Sequence, residues 1–207
     1  MAHAAPPATA RAGAVIRVLA VTFLLPFAAA AAEPAAAPAA AGTRSVVASK
    51  SEIGFAVKQM GVPVTGTFKR FSGKVRLDPA KPETGSAELD VEIASIATGN
   101  EEADTTALTA PWLDAAGFAK ATFRSTQVKG LGADRYEVRG QLTVRGQARE
   151  IRVPLTLKAN ADHTAVATGE FGIRRSDFGV GGGEWNEGDL VANEVPVHFR
   201  LALSAPK

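Results

Sequence analysis

The 207-residue chain contains no cysteine. That absence excludes disulfides, thiolate metal sites and a cysteine-linked lipoprotein anchor, so packing and backbone hydrogen bonds alone must hold the fold. Histidine is nearly as scarce, with three in the chain. His3 falls in the leader described below, His163 in a turn and His198 on the outward face of the last strand pattern, a spacing that makes no zinc site. Ser176-Asp177 has no histidine nearby to activate it. Gly179, Gly181, Gly182 and Gly183 lack the preceding strand and following helix that a phosphate-binding loop needs. Glu101, Glu102 and Asp104 form an acidic group, but at a helix start they complement the helix dipole. No catalytic residue, metal site or cofactor motif is legible, and a non-enzymatic protein is expected.

An excess of one charge is also missing: the chain carries 23 Lys+Arg and 21 Asp+Glu. Arg11 and Arg17 are the only charged residues among the first 32, so the remainder holds 21 of each sign. A neutral domain argues against nucleic acid as the main partner. Those two arginines precede Val18–Ala32, an uncharged apolar run that ends in small residues, as a secretory signal does. The run is shorter than the ~20 residues of a membrane span and is interrupted by Pro26. Residues 1–32 are therefore expected to be a cleaved signal peptide, with an uncleaved anchor as the alternative. Residues 33–42, rich in Ala and Pro, read as a linker, and residues 43–207 as one domain.

Within the domain the dominant signal is alternation with period two, which sends every second side chain to one face of a strand. Ile53, Phe55 and Val57 alternate with Gly54, Ala56 and Lys58, and Leu89, Val91 and Ile93 with Asp90, Glu92 and Ala94. Tyr136, Val138, Leu142 and Val144 repeat the pattern, as do Ile151, Val153, Leu155 and Leu157, and finally Val195, Val197, Phe199, Leu201 and Leu203. Turns are expected at Asp78-Pro79 to Gly85, Lys129 to Asp134, Arg145-Gly146-Gln147 and Asn160 to His163. Only residues 100–118 break the period, with a possible Asn100 cap, acids in the first turn and Pro111 dividing two Ala-rich pieces. One small helical excursion cannot cover an open sheet, so an all-β sandwich or closed barrel is expected.

Five segments carry a resemblance: SEIGFAVKQMGVPVTGTFKRFSGKVRLDP, ASIATGNEEAD, ATFRSTQVKG, YEVRGQLTVRGQAREIRVPL and RRSDFGVGGGEW. In this order, over nearly all of residues 44–204, they resemble the YceI-like family. The resemblance implies an eight-stranded antiparallel, lipocalin-like barrel in the bacterial periplasm, with an apolar pocket for a polyisoprenoid or a quinone tail. Thr109–Phe118 and GVGGGEW look more like the branch found beside membrane b-type cytochromes, which implies an accessory module of such a cytochrome as the alternative function. Lys50, Gln59 and Thr106 stand where many members carry histidine, so any head-group or metal role of those histidines has no counterpart here.

An eight-stranded barrel is just wide enough to be filled by side chains or to hold one small ligand. The candidate pocket residues are Phe55, Val57, Leu89, Val91, Ile93, Phe123, Val138, Leu142 and Phe199. A solid core built of the same residues is the alternative. The candidate mouth or lid comes from the irregular segments: Trp112, Leu113 and Phe118 in the excursion, and Phe178, Gly181, Gly182 and Trp185 in the Gly-rich loop. A Trp beside glycines could instead plug a barrel end. Lys58, Arg174 and Arg175 could meet a pyrophosphate or be merely solvated. Transient contact with a membrane would accompany an isoprenoid cargo. If the leader is cleaved, amino-terminal sequencing of protein from the native host should find a start near Glu33, and an intact Met1 in the membrane fraction would establish the anchor instead.

Overall fold

The computed structural model describes residues 42–182 and 190–207. Their backbone forms a single antiparallel sheet and one short α-helix, α1 (Glu101–Ala107). The strands are β1 (Thr43–Ser45), β2 (Glu52–Gln59), β3 (Val62–Phe68), β4 (Phe71–Arg76), β5 (Ser86–Glu92) and β6 (Ile96–Ala97). They continue with β7 (Lys120–Gly132), β8 (Arg135–Val144), β9 (Gln147–Ala159), β10 (Ala165–Arg174) and β11 (Glu194–Leu203). Eleven strands thus stand where eight were expected, because three of the eight staves are broken along their length. A 3-10 turn at Ala48–Lys50 separates β1 from β2, Lys69-Arg70 separates β3 from β4, and a 3-10 turn at Ile93–Ser95 separates β5 from β6.

Serine side chains replace the ladder bonds lost at these breaks. Ser95 Oγ donates to Glu92 O at 2.7 Å and accepts from Arg70 N at 3.0 Å, which holds the second and third breaks side by side. Ser51 Oγ donates to Val47 O and accepts from Ala202 N, both at 2.8 Å, across the first. Alternation in the sequence is blind to such kinks, since the apolar face continues on both sides of them.

The pairings run β4-β5-β7-β8-β9-β10-β11-β2-β3, and β3 leads directly into β4. Val46 bridges Leu203 beside the point where β1 pairs with β4, so the curled sheet meets itself. Three hairpins turn through two residues in left-handed backbone, Met60-Gly61, Ala133-Asp134 and Arg145-Gly146. Those conformations match the right-handed strand twist.

Because consecutive staves are antiparallel, alternate connections share an end. The near end carries Met60-Gly61, α1 with the turns that follow it, Arg145-Gly146 and the described residues between β10 and β11, 175–182 and 190–193. The far end carries the remaining turns, and there the interior is packed: Leu203 and Ala165 are 1% exposed, and Leu157, Val128, Leu77 and Tyr136 are also buried. Arg44, likewise buried, ties this floor together by donating to the carbonyls of His163 and Ser204.

Val91 is buried on the inner face and pairs with Phe71 and Ala121. A carboxylate in its place would enter the interior unpaired, so Val91→Asp should cost about 3 kcal/mol or more and lower Tm by roughly 10 °C. Unchanged melting would put Val91 on the solvent face.

Candidate functional site: an apolar cavity and its near end

The barrel is hollow above its packed floor. A cavity of about 620 Å³ runs through it, within the ~300–1,000 Å³ usual for small-molecule sites. Phe55, Val57, Leu89, Val91, Ile93, Phe123, Val138, Leu142 and Phe199 all line it. The side chains that alternation turns inward are thus among those that line the cavity. Alternation missed Val64 of β3, Val128 of β7, and Phe171 and Ile173 of β10, which also line the cavity. In β7 a bulge between Ser125 and Gln127 reverses the parity, so Ala121 and Phe123 face inward before it and Val128 after it. In β10 the inward series is Ala165, Ala167, Gly169, Phe171 and Ile173, too rich in small residues to stand out as an apolar face.

The width of the cavity depends on where three phenylalanines find room. Phe55 pairs with Gly66 and Phe199 with Gly169, while Phe123 lies diagonal to Gly140. A Cβ built on Gly66 would sit 2.4 Å from Phe55 Cζ, one on Gly140 2.6 Å from Phe123 Cζ, and one on Gly169 2.6 Å from Phe199 Cζ. Each ring thus lies over a glycine on the neighbouring strand. The lining therefore stays apolar, and these three rings are drawn toward the wall.

Polar lining residues gather toward the ends. Gln59, Thr98, Asn100, Glu102 and Thr106 belong to the near end, whereas Arg76, Ser86, Glu88 and Tyr136 belong to the far half. Gln59, Asn100, Glu102 and Thr106 are exposed as well as cavity-lining, which identifies an opening between α1 and the β2–β3 hairpin. Asn100 caps α1 as expected, accepting from Ala103 N at 3.0 Å. Asp104 accepts from both Thr98 N and Thr98 Oγ1 at 2.7 Å, so that part of the acidic group positions the helix over the mouth. Gln59 and Thr106, two of the three positions at which histidine was expected from the resemblance, both sit at this opening.

Beside this opening, among the described residues, stands a knot centred on Arg175, joined to β2 through the Gln59–Val191 bridge. Far from being a solvated strand-end arginine, Arg175 is 4% exposed. Its Nη1 donates to Val180 O at 2.9 Å and Gly181 O at 2.8 Å, Nη2 to Val191 O at 2.9 Å, and Nε to Ala192 O at 3.3 Å. Its guanidinium also lies 5.9 Å from the Trp112 ring centroid. Burial lowers its pKa below the ordinary arginine value, yet an arginine stays charged in a protein and the carbonyls satisfy it. Gly181 N donates to Pro111 O at 2.8 Å, and Arg145 donates to Ala110 O at 2.9 Å and to Gly179 O. The helical excursion and the Gly-rich loop are thereby stitched together.

Of the candidate mouth residues, Trp112, Leu113 and Phe178 line the cavity. Phe118 does not: its ring packs on Gly146 at the β8–β9 hairpin. Gly181 is buried in left-handed backbone beside Arg175 and Trp112, whereas Gly182 is exposed with open space around it. Trp185 lies outside the described residues. Lys58 and Arg174 are exposed on outward faces.

A family model for the YceI-like domain matches residues 45–203. The chain belongs to the YceI-like family. A UPF0312 protein of Vibrio cholerae serotype O1 is 32% identical over 146 residues, covering 70% of this chain and 74% of the relative. A UPF0312 protein of Pseudomonas fluorescens is 34% identical over 138 residues, covering 61% and 70% respectively. Among solved structures, Burkholderia cenocepacia BcnA superposes with a TM-score of 0.74 at 38% identity, over 77% of this chain and 99% of that one. A Saccharophagus degradans domain, described as polyisoprenoid-binding and implicated in plant cell wall breakdown, gives a TM-score of 0.65 at 20% identity. That match covers 81% of this chain and 100% of the domain, and it speaks for the YceI-like fold.

The Phe–Gly contacts make a specific demand. Gly66→Ala meets only side chains, chiefly the Phe55 ring, and should force that ring into the lumen at a cost of about 1–3 kcal/mol. Binding of a fluorescent apolar probe should fall several-fold. Adding Phe55→Leu should restore both stability and binding, and failure of that rescue would show that the glycine serves the backbone instead.

Proposed function

We propose that this chain is an exported, periplasmic carrier that holds the chain of a polyisoprenoid or isoprenoid quinone in its barrel and performs no catalysis. The observation that carries this reading is the cavity wall. Between its polar ends the lining is Val, Leu, Ile, Ala and Phe from successive staves, with the rings of Phe55, Phe123 and Phe199 lying over glycines. Such a wall offers nothing to orient a polar substrate and suits a branched hydrocarbon. The Saccharophagus degradans domain with the same fold supports a polyisoprenoid as the cargo. The leader at residues 1–32 supports export.

Each buried five-carbon unit is worth about 4 kcal/mol against water, so two units approach micromolar affinity. Against a bilayer the gain nearly vanishes, because the chain is already out of water there. Loading must therefore be decided at the mouth, where Gln59, Asn100, Glu102 and Thr106 offer hydrogen bonds to a head group.

Native mass spectrometry of protein purified from its own host should show an added mass that fragments as a prenyl chain. A barrel that stays empty, refuses added isoprenoid quinone and instead co-purifies with a membrane b-type cytochrome would replace the carrier with the accessory-module reading.

A further inference from the structure

The near end bears an apolar surface that the cavity does not use. Among the described residues, the large apolar side chains left most exposed are Met60 at 74%, Val62 at 63%, Leu131 at 47% and Leu190 at 43%. Leu131 belongs to the β7–β8 hairpin at the far end, and the other three sit together. Met60-Gly61 is the tip of the β2–β3 hairpin, Val62 pairs with Gln59, and Met60 N donates to Leu190 O at 2.8 Å. This patch adjoins the mouth. Gln59 precedes Met60, Val191 follows Leu190, and these two residues bridge each other while both line the cavity.

The turn does not call for methionine. Met60 has φ +49° at the first position of a two-residue hairpin loop, where asparagine or glycine is most at ease. Nor do three side chains on a hairpin tip make a protein interface, which needs ~800 Å² from each partner. A narrow apolar tip does suit a lipid surface, where a few side chains dip past the head groups and the rest of the protein stays in water. Exposed Lys58 stands two residues before Met60 on β2, roughly 7 Å back along the strand, the level at which an ammonium would meet lipid phosphates.

We propose that the tip formed by Met60, Val62 and Leu190 inserts into a phospholipid bilayer and brings the cavity mouth against the acyl layer. An isoprenoid chain then slides between membrane and barrel without crossing water. The passage of cargo rests on the carrier reading above, whereas the membrane contact does not.

The test compares the full-length mature protein with Met60→Asn/Val62→Thr, which keeps a residue suited to the turn and one suited to a strand. With cargo-free phosphatidylethanolamine–phosphatidylglycerol vesicles, the wild type should float and the variant should lose at least tenfold of that association, with Tm unchanged or raised. Equal flotation of the two proteins, or flotation of neither, overturns the membrane contact. Dimerisation of the wild type that the variant abolishes, without flotation, assigns the patch to a second copy and also overturns it. With vesicles carrying an isoprenoid quinone, loading followed by tryptophan quenching should be at least tenfold slower in the variant, while affinity for the same quinone in detergent stays equal. Equal loading rates sink the passage step. Absence of quinone binding by either protein in detergent sinks the carrier reading while leaving the flotation result to stand.

Discussion

The hollow barrel depends on three contacts between a phenyl ring and the bare backbone of a glycine. An eight-staved barrel has so little room that ordinary side chains can fill it. Here Phe55, Phe123 and Phe199 are among the large side chains that line it. Gly66, Gly140 and Gly169 have no Cβ to hold them off the wall, so the rings lie over these glycines. The same contact both stabilises the sheet and draws the three rings toward the wall. Packing density is kept at the wall and at the floor, where Leu203, Ala165 and Leu157 close the far end, and it is given up only along the axis.

The near end divides into a fixed half and an open half. Arg175 binds the carbonyls of Val180, Gly181, Val191 and Ala192, and Gly181 in turn is bonded to Pro111. A buried guanidinium with that many acceptors is costly to expose. The excursion with Trp112 and the start of the Gly-rich loop therefore behave as one sealed unit at that point. The opening lies next to it, between α1 and the β2–β3 hairpin, because Val191, whose carbonyl Arg175 holds, also bridges Gln59; there the lining is polar and the neighbouring tip apolar. Polar lining residues and an apolar tip thus stand side by side.

Much of the site was legible in the sequence because strand period and burial coincide over long runs. Ile53 to Val57, Tyr136 to Val144, Ile151 to Leu157 and Val195 to Leu201 each send their apolar members into the cavity. The lapses are local and share a cause. Val128 was lost because the bulge at Ser125–Gln127 changes parity, a change invisible without the partner strand. Phe171 and Ile173 were lost because small residues dilute the pattern of β10. The eight staves were expected from the resemblance, and alternation does not show where three of them break, because a serine-bonded kink leaves the apolar face unbroken. Phe118 was placed at the mouth because nothing in its neighbourhood shows that it turns toward Gly146.

The sequence by itself determined the all-β class, the inner faces of β2, β5, β8, β9 and β11, the helical excursion and the family, since these depend on residue order and on side-chain alternation within single strands. Only the tertiary structure decided that the core is hollow, that Arg175 is a buried clasp, and that the mouth lies beside Met60. Those outcomes turn on which residues from distant strands meet across the ladder: a phenylalanine over a glycine, a guanidinium among carbonyls, a hairpin tip against Leu190. Registers between strands carry that information, and a register is a property of two strands that neither of them encodes alone.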